Sequence, residues 1–176
     1  MVIPSLQVGG MERVMTELAW YLCGKNDLNV TLLLYGKKPV VYYSIPHNLI
    51  IHKPKSRFND IFRLFSTIGR LIYLRNTVRT INPDSILSFG EYWNSFVLLA
   101  LYNLPNPVFI SDRCSPGKKF SFFHSILRGW LYPKAHGIVA QTTVANKLYQ
   151  QQFKNANIKV IGCGGAGSDN TSRAAD

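Results

Sequence analysis

The sequence predicts an α/β fold, a doubly wound parallel sheet of the Rossmann-like kind, and three observations lead there. Seven short apolar runs of strand length recur along the chain, the stretches between most of them carry helical spacing, and runs such as Val30-Thr31-Leu32-Leu33-Leu34-Tyr35 are apolar throughout, as strands buried on both faces are. The 176 residues suffice for one domain with its own core. With 47% hydrophobic and only 16% charged residues, the chain is expected to fold.

The elements follow in order. Val2-Ile3-Pro4 reads as the end of a buried strand that runs into the loop Ser5 to Gly10. Met11, Val14, Met15, Leu18, Ala19 and Leu22 then fall at helical spacing, with Glu12 in the positive first turn and Gly24 as the stop. Val30 to Tyr35 completes a strand–helix–strand crossover unit. Leu49 to His52 is the third strand, and a long helix is expected from about Asn59 to Ile81, broken by Asn82-Pro83-Asp84. Ser85 to Ser88 and Val108 to Ser111 are strands four and five, with a helix near Tyr92 to Leu101 between them. A helix over Lys118 to Tyr132, a strand at Gly137 to Ala140, a helix over Val144 to Phe153 capped by Thr142, and a strand at Ile158 to Ile161 close the pattern. From Gly162 the composition turns to glycine and small polar residues, so residues 162–176 are expected to be a disordered tail after a domain spanning 1–161.

Lys and Arg number 20 against 9 Asp and Glu, a net charge of +11, which favours an anionic partner. The basic residues lie among aromatic and aliphatic ones, above all in Lys53 to Arg79 and Lys118 to Tyr132, a mixture suited to an anionic membrane surface more than to nucleic acid. Lys118, Lys119, Phe122, Phe123 and Trp130 are the expected membrane-facing residues, with Lys55 to Arg79 assisting. Packing one face of each helix into a core, with the basic residues as a solvated rim, accounts for the same pattern. No apolar run reaches bilayer-spanning length, so contact with a membrane is expected to be peripheral. Cys23, Cys114 and Cys163 are too widely spaced for a disulfide framework or a CxxC metal site, and a reducing cytosol, at the inner face of the plasma membrane, is the expected location. No motif calls for a cofactor, and the four histidines lack the spacing of metal ligands.

Ligands of open parallel sheets bind beyond the carboxyl ends of the strands. After the first strand come Gly9 and Gly10, which either let a phosphate approach the backbone at a helix start or simply make a tight turn. After the fourth comes Ser88-Phe89-Gly90-Glu91-Tyr92-Trp93-Asn94, with a carboxylate, two aromatic rings and an amide of the kind that bind sugars. After the fifth comes Ser111-Asp112-Arg113-Cys114-Ser115-Pro116, an adjacent acid and base that also suit a surface pair.

Ile3-Pro4-Ser5-Leu6, Gly9-Gly10-Met11-Glu12-Arg13, Ser88-Phe89 and Ser111-Asp112-Arg113, in this order, resemble the amino-terminal domain of family 4 GT-B glycosyltransferases over roughly residues 1–161. The acid-Arg-x-x-Pro stretch is similar to the branch that transfers galactose or N-acetylgalactosamine in surface-polysaccharide or lipid-linked oligosaccharide assembly in bacteria. The resemblance implies transfer of a hexose from a nucleotide-sugar, with retention, to a glycan or lipid-linked acceptor. It places Gly9 and Gly10 near the donor phosphates, and Glu91, Asn94 and Arg113 on the substrate side. Asp112 is the candidate catalytic residue, although many relatives carry histidine near this position. It also implies a carboxyl-terminal donor-binding domain, which this chain is expected to lack. The rival readings are a non-catalytic peripheral membrane-binding module and a nucleic-acid-binding protein.

Overall fold

The computed structural model describes residues 1–112, 120–153 and 156–162. Seven strands form one all-parallel sheet in the order β3-β2-β1-β4-β5-β6-β7. These are β1 (Val2–Ile3), β2 (Thr31–Leu34), β3 (Ile50–His52), β4 (Ile86–Phe89), β5 (Val108–Ser111), β6 (Gly137–Ala140) and β7 (Ile158–Val160). The helices are α1 (Gly10–Cys23), α2 (Arg63–Ile81), α3 (Asn94–Ala100), α4 (Phe122–Leu131), continued by a 3-10 turn Tyr132–Lys134, and α5 (Thr143–Gln152).

Strand alternation divides the core in two. Val2, Leu33, Tyr35, Ile86 and Ile110 face a cluster with Leu74, Val78, Val97, Leu131 and Tyr149, contributed by α2 to α5. Ile3, Leu32, Leu34 and Phe89 face the other way, onto Met15 and Ala19 of α1. The chain winds from β1 outward through β2 to β3, then crosses back to β4 and proceeds the other way. The right-handed rule for parallel crossovers therefore puts α1 on one face and α2 to α5 on the other. The winding reverses between β1 and β4, which makes that pair the topological switch point.

Local signals set most boundaries. Thr142 Oγ1 accepts from the Ala145 amide at 3.0 Å and starts α5, and Gly24 ends α1. Asn82 stops α2 with a left-handed backbone at φ 47°. The expected helix from Asn59 begins four residues later. Asn59 Oδ1 accepts from the Ile61 amide at 2.9 Å, and Ser66 Oγ bonds the Asn59 amide and carbonyl at 3.1 Å each, so a local turn outcompetes the first helical turn. The helix expected from Lys118 begins only at Phe122, because Ser121 before it is extended and stands as its N-cap.

Candidate functional site

In a parallel sheet every strand leaves at the same edge. The structure thereby brings Gly9 and Gly10 after β1, Glu91 after β4 and Asp112 after β5 to one carboxyl edge. Arg113, Lys118, Lys119 and residues 163–176 lie outside the described residues.

The switch point is the tightest part of this edge. Gly90 has φ +107°, a backbone that L side chains rarely adopt, and a Cβ there would stand 2.9 Å from Met11 Sδ and 3.3 Å from Trp93 Cδ1. The β4–α3 loop thus seats directly on the start of α1. Gly9 is extended, a backbone any residue adopts, and the carboxylate of Glu12, at the end of a flexible side chain, folds back over it. Tyr43 clamps the same residue: its hydroxyl accepts from the Gly9 amide and donates to the Gly9 carbonyl, both at 3.0 Å. A Cβ on Gly10 would meet nothing within 4 Å, so the approach to the first turn of α1 is open there. The first amides of a helix have no partner within it and favour an anion.

Asp112 sits 3% exposed at the end of β5 and organises a polar network. Its Oδ1 accepts from Asn94 Nδ2 at 2.9 Å and the Tyr132 hydroxyl at 2.7 Å, and its Oδ2 accepts from Arg128 Nη2 at 2.7 Å and the Tyr149 hydroxyl at 3.2 Å. The Asp112 carbonyl accepts from Gln141 Nε2 at 3.0 Å. Arg128 also donates to the Glu91 carbonyl at 3.2 Å and the Tyr132 hydroxyl at 2.5 Å, with its guanidinium 4.2 Å from the ring centroids of Phe120 and Tyr132. Burial works against the Arg128 charge, but Tyr132 and Asp112 outweigh it and raise its pKa. Burial, followed by the neighbouring Asp112 charge, pushes the Tyr132 hydroxyl well above the usual tyrosine range.

Two expectations need correcting on this geometry. Asn94 is fully buried and its amide is spent internally: Ser88 Oγ bonds its Oδ1 at 2.9 Å, and its Nδ2 reaches both the Ser111 carbonyl and Asp112. It braces the edge from below and does not face substrate. Arg128, within a stretch read as membrane-facing, points inward, as does Arg70 of α2, which donates to the Ser56 carbonyl at 2.9 Å and whose pKa burial lowers. Arg75 is likewise engaged, donating to the carbonyls of Ala100 and Tyr102 at the end of α3. Sequence reasoning missed Arg128, Tyr132 and Tyr149 as members of the site because they come from elements far along the chain. The one available signal was an arginine and a tyrosine four residues apart in an otherwise apolar helix.

Glu91 is partly buried, and Tyr92 and Trp93 are partly exposed beside it. Tyr92 packs edge-on to Phe120 and His124, and Trp93 edge-on to Tyr35. A pocket of about 240 Å³ lies at the opposite, amino edge of the sheet, lined by residues that include Leu98, Tyr102, Asn106, Lys134 and His136. Among the described residues no group of His, Cys, Asp or Glu is placed to hold a metal ion, and no helix is long and apolar enough to cross a membrane.

Residues 8–164 match Glycosyltransferase Family 4, so the match covers the glycine loop, the β4 and β5 exits and every helix. This chain belongs to that family. The parallel sheet with helices on both faces is the Rossmann-like arrangement of a GT-B amino-terminal domain. The family 4 chain is also similar to the GalNAc-alpha-(1->4)-GalNAc-alpha-(1->3)-diNAcBac-PP-undecaprenol alpha-1,4-N-acetyl-D-galactosaminyltransferase of Campylobacter jejuni, with 21% identity over 154 residues. That alignment takes in 86% of this chain and 42% of the relative, so this family 4 chain spans less than half of the relative's length. Glycosyl transfer is the chemistry of the family.

Proposed function

We propose that this chain is the acceptor-side half of a retaining glycosyltransferase that moves a hexose, galactose or N-acetylgalactosamine, from a nucleotide-sugar to a lipid-linked or surface-polysaccharide acceptor. The observation that carries the reading is the convergence, at the switch point of a family 4 sheet, of the open first turn of α1, the Glu91 loop and the braced end of β5. The named relative acts on an undecaprenol-linked acceptor, which supports a polyprenyl-pyrophosphate substrate here.

In the transfer, a bond forms between the acceptor oxygen and the anomeric carbon while the bond from that carbon to the donor phosphate breaks. The nucleoside diphosphate leaves with the electron pair, and the acceptor proton passes to the departing phosphate side. The chain's contribution is positioning and electrostatic stabilisation. The backbone at Gly10 and the positive end of α1 face the donor phosphates. Glu91 offers a carboxylate to sugar hydroxyls, and Arg113, which follows Asp112 in sequence, is assigned to the substrate side by the family resemblance alone. Asp112 acts through Arg128, because its carboxylate already accepts four side-chain hydrogen bonds and Arg128 in turn fixes the Glu91 backbone. A donor-binding domain outside this chain completes the cleft, so the 176 residues alone are inactive in this reading.

Titration of the isotopically labelled chain with a short-chain polyprenyl-pyrophosphate N-acetylgalactosamine tests the placement. Amide resonances of Gly90 and Glu91 are expected to move. Shifts confined to the amino-edge pocket around Tyr102 and His136 would contradict it.

A further inference from the structure

Two helices of the same face leave matching apolar stripes in solvent. On α2, Leu64, Phe65, Ile68 and Ile72 are exposed, and on α4, Phe122, Phe123, Ile126 and Trp130 are exposed. Both sets have the spacing i, i+1, i+4, i+8, which at 3.6 residues per turn gathers four side chains into a strip about 100° wide. The exposure is extreme for such residues, 76% at Phe65 and Phe122 and 83% at Phe123. In each helix the arginine two residues after the isoleucine, Arg70 or Arg128, turns inward, so the strip carries no charge of its own. The short α3 lies between them, in contact with both helices, which at ordinary interhelical distances sets the strips roughly 16–20 Å apart on one side of the molecule.

We propose that these two strips form one docking surface for an anionic lipid bilayer, a reading independent of the chemistry assigned to the site. Charge decides for lipid over a protein partner. Neither helix contains an acidic residue, and Lys53, Lys55, Arg57 and Arg63 are exposed at the approach to α2, where the one acid, Asp60, is paired with Lys37. A basic margin beside exposed apolar strips is the pattern of an interfacial surface. Helices that follow parallel strands begin at the carboxyl edge, so Phe65, Phe122 and Phe123 sit at the same end as Gly10 and Asp112. The surface therefore seats the carboxyl edge at the headgroup layer, where a lipid-borne ligand carries its polar end.

The test is co-sedimentation of the 176-residue chain with vesicles of phosphatidylglycerol and phosphatidylethanolamine, beside vesicles of phosphatidylcholine alone. The wild-type chain is expected to partition onto the anionic vesicles. The combination F65S, I68S, F122S and F123S is expected to lower that partition by about tenfold or more. The control Y21S, an exposed tyrosine on α1 across the sheet, leaves it unchanged. Because all five residues are exposed, both variants keep the wild-type thermal midpoint, which separates lost docking from lost folding. Equal partition of wild type and the four-residue variant would overturn the proposal. So would a lipid-free dimer that this variant converts to monomer while vesicles bind neither form, since the strips would then bury each other. Preferential binding to a short DNA duplex, undiminished in the variant, would also overturn it.

Discussion

Asp112 and Arg128 stand sixteen residues apart in sequence and form a buried ion pair at 2.7 Å, with the carboxylate also bonded by Asn94, Tyr132 and Tyr149. The pair ties the end of β5 to α4 and, through the Glu91 carbonyl, to the loop after β4. Removing only one partner strands the other in the interior, where an uncompensated charge is far costlier than the intact pair is stabilising.

Asp112→Ala is therefore expected to destabilise the domain by about 3–5 kcal/mol. The double variant Asp112→Ala with Arg128→Met loses less than the sum of the two single changes, with a coupling of about 1–3 kcal/mol in a denaturant-unfolding cycle. Additive losses would show that the two side chains do not depend on each other.

Gly90→Ala combines a strained φ of +107° with a contact at 2.9 Å to Met11 Sδ. The expected cost is about 1–3 kcal/mol. Met11→Ala in the same chain removes the crowding and leaves the dihedral cost, so it should recover part of the loss. Chemical denaturation of Gly90→Ala, of Met11→Ala and of the double variant measures both portions.

Tyr43→Phe removes the hydroxyl that holds both backbone groups of Gly9. Loss of these bonds is expected to cost about 1 kcal/mol and to speed exchange of the Gly9 amide in hydrogen-exchange NMR. Unchanged protection at Gly9 would mean the clamp does not hold the glycine loop in solution.

The Met1 amino group donates to the Thr31 carbonyl at 2.7 Å, and burial brings its pKa down from 8.0 to about 6. The unfolded chain then binds more protons than the folded one between these values, so this group's contribution is fully present above pH 8 and is lost as pH falls through 6. A displacement of this size corresponds to about 2–3 kcal/mol between pH 8 and pH 5, measurable as a falling urea midpoint that amino-terminal acetylation abolishes.

Much of the fold was legible because each strand is a short apolar run with a small or polar exit, and the parallel pairing follows from the helices between them. Gly9, Gly10, Glu91 and Asp112 could be placed on one edge for that reason alone. The partner of Asp112 could not. Its sequence neighbour Arg113 drew attention, whereas the observed pairing with Arg128 depends on how α4 packs against α3, a tertiary fact that no local spacing encodes. Asn94 shows the same limit: an amide beside aromatic rings reads as a sugar ligand until burial turns it inward. The inward turn of Arg70 and Arg128 likewise needed packing to reveal it, since in sequence they belong with the other basic residues of their helices.

The most direct measurement is a transfer assay on two proteins, the 176-residue chain alone and the same chain joined to a family 4 donor-binding domain, each given a panel of nucleotide-sugars and polyprenyl-pyrophosphate-linked acceptors. In the proposed reading the reacting carbon is held between two halves, which predicts product only from the joined protein, with Gly10→Val reducing it by tenfold or more, on the order of the 1.4 kcal/mol a tenfold change represents. Robust turnover by the isolated chain, or a joined protein that binds donor and acceptor yet transfers nothing, would contradict it.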